Sequence, residues 1–99
     1  MTTAAERVAL RAGLPADKEA ERGVLSEILR ARAMPPAVRR LTPQHFSIDR
    51  HAEIFRAALA LDSAGEPIDL MGVADHLGPT RLEAVGGLAF LSDLLDPLE

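Results

Sequence analysis

The sequence predicts an all-α protein, a small globular helical bundle of about five to six short helices. Apolar residues recur at three-to-four spacing in successive segments, the mark of helices with one buried face, and no segment alternates at period two for long enough to make a strand. Proline and glycine punctuate the segments at Pro35-Pro36, Thr42-Pro43, Gly65-Glu66-Pro67, Gly78-Pro79 and Gly86-Gly87. The chain has 99 residues and 47% hydrophobic content, enough for one domain with one core.

Residues 1–14 are rich in Thr, Ala and Arg, have no clear helix start or stop, and read as a flexible N-terminal arm before a folded head at 15–99. Pro15 and a capping Asp17 open the first helix, whose apolar face is Ala20, Val24, Leu25, Ile28 and Leu29. It ends near Met34, because Pro35-Pro36 cannot continue it. Pro36 suits the start of a short helix through Val38 and Leu41, and Thr42-Pro43 repeats that device before Phe46. The longest helix starts at Asp49 or Ser47, turns Ile54, Phe55, Ala58, Leu59 and Leu61 inward, and stops at a left-handed Gly65. Asp69 caps a helix carrying Leu70, Val73, Ala74 and Leu77, closed by Gly78-Pro79. Thr80 and Glu83 have the spacing of a capping box over a turn at 80–85, and Leu88, Leu91, Leu94 and Leu95 mark a last helix.

Composition removes several function classes. With no cysteine, disulfides, thiolate metal sites and cysteine nucleophiles are excluded. No basic segment leads into an apolar run at the start, and no eighteen apolar residues follow one another, so a cytoplasmic protein is expected. Eleven basic against fifteen acidic side chains give a net charge of -4, and the three aromatics are all Phe, which argues against direct nucleic-acid binding. Apart from Lys18 the basic residues are arginines, scattered along the chain.

Candidate chemistry is sparse. Gly86-Gly87 could cradle a phosphate only if a strand preceded it and a Lys-Ser/Thr pair followed, and Leu88-Ala89 follows instead. Gly86 is better read as a left-handed helix end, with Gly87 allowing close helix packing. His45, His51 and His76 have no partner at metal-ligand spacing, and His51 reads as a hydrogen-bonded structural residue. Ser26, Ser47, Ser63 and Ser92 lie in no nucleophile-elbow context, and Glu19, Glu21, Glu53 and Asp93 read as a solvated helix face. No catalytic residue, cofactor or metal is therefore expected. An alternative is a helix-turn-helix DNA-binding regulator, with Ala74 and Gly78 at the turn and a recognition helix from Thr80, but Arg81 is its only basic side chain before Gly86-Gly87.

Five blocks in order carry a resemblance: P-x-x-x-E-A-E-x-x-V-L from Pro15 to Leu25, L-T-P-Q-H-F from Leu41, R-H-A-E-I-F-R-A-A-L from Arg50, G-E-P-I-D-L from Gly65 and L-E-A-V-G-G-L-A-F-L from Leu82. Together they resemble the N-terminal domain of DnaB-type replicative DNA helicases, over residues 15 to about 95. The resemblance implies a small all-helical head, similar to the primase C-terminal domain, that joins helicase subunits in an N-terminal collar and recruits primase in the primosome during DNA replication. His45 and Ser47 depart from the family's acidic and aromatic residues on either side of Phe46, and Phe90 stands where Tyr is common. The chain contains no G-x-x-x-x-G-K-[ST] loop, so no ATP hydrolysis is expected of it, and in the family the chain would continue beyond Glu99 into a helical hairpin and a RecA-like motor. Without that hairpin a monomer or weak homodimer is expected. On the last helix Phe90 and Leu94 widen the apolar arc beyond one core-facing stripe, which makes them the candidate partner-binding residues beside the plainer reading of burial.

Overall fold

A computed structural model describes Ala5, Val8 and residues 18–95. Its described part contains four α-helices, α1 (Lys18–Ala31), α2 (Asp49–Ser63), α3 (Leu70–Ala84) and α4 (Gly87–Leu95), with 3-10 turns at Pro36–Val38 and Pro43–His45 between the first two. No strand occurs among the described residues. Helix α1 packs on α2, α2 on α3, α3 on α4, and α4 returns to α1, so the four enclose a single core. Its largest fully buried side chains include Phe55, Leu25, Ile28, Ile54, Ile68 and Leu91.

The expected cap Asp17 lies outside the described residues, as does most of the expected arm. Ala5 and Val8 are described: both are helical and buried in the core, so at these two positions the chain is packed and not free. Helix α1 ends at Ala31, earlier than the expected Met34. Arg32 turns the chain with a left-handed φ of 58°, which seats Met34 in the core, and the Arg32 carbonyl accepts the Ile68 N–H at 3.1 Å.

Helix α2 begins at Asp49, but no side chain caps it; Ile48 holds the N-cap position and the Ser47 hydroxyl is engaged elsewhere. Leu59 and Leu61 are half-buried, and Ala57 joins Ile54, Phe55 and Ala58 on the inward face. Asp69 caps α3 as expected, its carboxylate accepting the Gly72 N–H at 2.7 Å.

Gly78 breaks α3 at φ 75° and ψ 168°, a region that only glycine occupies readily. The chain resumes a helical path at Pro79. Thr80 therefore has helical backbone angles and is not an N-cap, and the expected Thr80-Glu83 capping box does not form. A box forms instead at Thr42, where the backbone N–H of Thr42 donates to the His45 Nδ1 at 2.9 Å.

Candidate functional site

The most unusual chemistry of the described chain is buried where α1, α2 and α4 meet. Glu21 lies three, four and seven residues before Val24, Leu25 and Ile28, so the helical repeat that sends those residues into the core sends its carboxylate there too. It is fully buried, which overturns the solvated-face reading of this residue. A buried carboxylate is stable only with donors around it. Those come from the segment entering α2: Ser47 donates its backbone N–H to Glu21 Oε2 at 3.0 Å and its hydroxyl to the same oxygen at 2.8 Å. His51, in the first turn of α2 and equally buried, places Nδ1 2.7 Å from Oε1.

The carboxylate accepts, so Nδ1 carries the proton in this pair. His51 Nε2 is buried with no hydrogen-bond partner. Burial lowers the His51 pKa from its ordinary 6.5, and the charges of Arg50 and Arg22 act in the same direction, against the opposing hydrogen bond and charge of Glu21. The lowered direction agrees with the geometry: a protonated imidazole would hold a second N–H at Nε2 with nothing to receive it.

Phe90 of α4 closes the cluster. Its ring stacks on His51 at a centroid distance of 5.9 Å and an interplanar angle of 17°. Gly86 makes room for it. A side chain there would place its Cβ 2.7 Å from the Phe90 Cβ, and the φ of 113° is already one that other residues avoid. Close packing was expected of Gly87; it is Gly86 that provides it, and Gly87 has open space around it. The Gly-Gly pair is thus a joint that seats an aromatic ring. Outside the ring lie two cations, with the Arg50 Cζ 4.3 Å and the Arg22 Cζ 5.4 Å from the ring centroid.

Phe90 and Leu94 are only 8% and 2% exposed, so the partner-facing side expected of them is corrected: both belong to the core. Helix α4 crosses the bundle between α1 and α3, and that crossing covers a wider arc than one stripe. Its exposed large apolar side chain is Leu88 at 46%, and on α3 Met71 stands at 58%. Of the other candidates, His45 serves Thr42, His76 is exposed, Ser26 is half-buried, and Ser63 and Ser92 are exposed. No group of three or more His, Asp or Glu that could hold a metal occurs among the described residues. Arg81 is tied to the carbonyls of Leu77 and His76 and lies 3.9 Å from Glu53, so it is not presented as a base-reading side chain. No described helix is long and apolar enough to cross a membrane.

The arrangement is that of a fastener. Glu21, Ser47 and His51 join the segment entering α2, and α2 itself, to α1 through short hydrogen bonds.

Comparison with known proteins agrees with the five sequence blocks. The family model described as DnaB-like helicase N terminal domain matches residues 13–98. The chain is 39% identical over 84 residues to the replicative DNA helicase DnaB of Geobacillus stearothermophilus, covering 83% of this chain and 18% of that protein. It is 40% identical over 82 residues to the replicative DNA helicase DnaC of Bacillus subtilis, covering 81% and 18%, and 38% identical to the DnaB of Rhodothermus marinus, covering 81% and 9%. It therefore spans less than a fifth of the length of each of these relatives. A match across nearly the whole chain, on an all-helical fold, places this protein in the family of DnaB-like helicase N-terminal domains.

Proposed function

We propose that the chain acts as a non-catalytic interaction and assembly domain of a replicative DNA helicase, contributing to an N-terminal collar of helicase subunits and to primase recruitment in the cytoplasm. The observation that carries this reading is the family match over residues 13–98, which corresponds to a small part of each helicase and to its N-terminal domain. The chemistry of the head is consistent with it. Glu21 and His51 are buried inside the bundle, and the sequence has no phosphate-binding loop. The unit that does this work is the head at 15–99.

Alone, the head is a monomer with at most weak self-association. Among the described residues only Met71 and Leu88 are large exposed hydrophobics, too few for the roughly 800 Å² per partner of a stable interface.

The test is a titration of the chain with the C-terminal domain of the cognate primase by isothermal calorimetry, alongside an ATPase assay and a duplex-DNA anisotropy assay. Saturable binding to primase with no ATP turnover is expected. ATP hydrolysis by the chain overturns the non-catalytic assignment, absence of binding overturns the primase role, and DNA binding that weakens steeply with salt favours the helix-turn-helix alternative.

A further inference from the structure

We propose that Arg22 and Arg50, held over the ring of Phe90, form a clamp for a pair of carboxylates on an acidic helix of a partner protein. The two arginines are 28 residues apart in sequence, and the packing of α1, α2 and α4 brings them to one ring. Among the described residues, neither takes part in an ion pair with an acidic side chain. Four other arginines are engaged: Arg39 pairs with Asp62 at 3.2 Å, Arg56 with Glu53 at 3.0 Å, Arg81 lies beside Glu53, and Arg30 donates to the Leu95 carbonyl. In a chain with fifteen acidic residues and a net charge of -4, two unpaired cations on one aromatic ring are a local concentration of positive charge. Asp49 and Asp93 are close in sequence to Arg50 and Phe90, yet neither pairs with the arginines.

The ring decides what the clamp can hold. A guanidinium over a ring is positioned by its charge, while its N–H donors stay in its own plane for a carboxylate. Arg22 is half-buried and Arg50 exposed, so both can be reached from solvent. Carboxylates three or four residues apart on a helix stand side by side, about 5–6 Å between their Cβ atoms, and so can meet two cations gathered at one ring. A nucleic acid fits less well. It asks for a track of cations at phosphate spacing, and Arg30, Arg39, Arg56 and Arg81 are already engaged with acidic side chains or carbonyls. A second copy of the chain brings another net charge of -4 against the first. The inference rests on the chain being an interaction module, and it fails separately: the clamp can be empty while primase still binds elsewhere.

The probe is an alanine-based helical peptide carrying Glu at positions four apart, titrated into the isotope-labelled 99-residue chain and followed by NMR at the Arg Nε–Hε and Phe ring signals. Saturable shifts are expected at Arg22, Arg50 and Phe90, weakening with salt, with the dissociation constant raised about fivefold by Arg22→Gln or Arg50→Gln. Arg40→Gln should leave it unchanged, and Arg50→Lys, which keeps the charge but loses the planar donor fork, should bind more weakly than wild type and more tightly than Arg50→Gln. Circular dichroism melting establishes that each variant is folded. No saturable shift up to about 10 mM peptide overturns the clamp. So does equal binding of the Gln-substituted peptide, tighter binding of duplex DNA or inorganic phosphate at the same residues, or ring shifts that depend on the concentration of the chain alone.

Discussion

Glu21 and His51 set the chemistry of this molecule at the level of single side chains. Deleting the carboxylate in Glu21→Ala leaves the buried His51 donor and the part-buried Ser47 donors without their acceptor, a change that costs about 3–5 kcal/mol at about 1–3 kcal/mol for each donor lost to burial. Glu21→Gln keeps one acceptor and should cost less, about 1–3 kcal/mol, both read from urea denaturation at neutral pH. The cluster also gives stability a pH dependence of defined sign. His51 has its pKa lowered in the folded state, so as pH falls below the ordinary 6.5 the unfolded chain takes up a proton that the folded chain refuses. Stability is therefore full above that value and declines on acidification; urea midpoints at pH 7.5 and 5.5 should differ in wild type and converge in His51→Asn, which keeps a donor toward Glu21. In the sequence, the structural role of His51 could be read from its place in the first turn of an amphipathic helix. Glu21 was missed because carboxylates usually point to water, although its register with Val24, Leu25 and Ile28 was the available signal. No local signal links Arg22 to Arg50, since only the tertiary packing makes them neighbours.

Among the elements, α3 and α4 are governed by their glycines and α3 also by its cap. Gly86→Ala combines an unfavourable φ with a Cβ 2.7 Å from that of Phe90, so it should destabilise by about 2–4 kcal/mol and displace the ring from His51. The ring-current shift of the His51 protons in NMR is the readout. Asp69→Ala removes only the α3 cap and should cost about 1 kcal/mol with the ring in place. Most element positions were readable from local rules: the Asp69 cap, the left-handed Gly65 and the proline-led turns at 36 and 43 each occur where residue chemistry puts them. Two failed for a shared reason. Met34 and Thr80 sit next to residues whose backbone angles the wider fold imposes, Arg32 at φ 58° and Gly78 at φ 75°, and these displaced the expected helix end and the expected cap.

For the molecule as a whole, the wide apolar arc of α4 belongs to the interior. Phe90→Asp should consequently unfold the domain, because it puts a charge against His51 and the core, whereas Leu88→Asp should leave the circular dichroism spectrum and melting unchanged within about 0.5 kcal/mol. Sedimentation velocity over a hundredfold concentration range should give one monomeric species for the Leu88 variant; a concentration-independent hexamer of the wild-type chain would refute weak self-association. Fold class and family were visible in the sequence because both live in patterns, helical periodicity and ordered blocks, that one chain displays by itself. The Glu21 fastener also bears on the order of assembly. Its bonds join residues 26 and 30 positions apart, and they repay the removal of a charge from water only after the surrounding helices have closed over it. A contact of that kind is expected to form late, so in stopped-flow chevron measurements Glu21→Gln should accelerate unfolding while leaving the refolding arm nearly in place. That outcome would make the cluster a determinant of how long a folded head stays folded and not of how fast it folds.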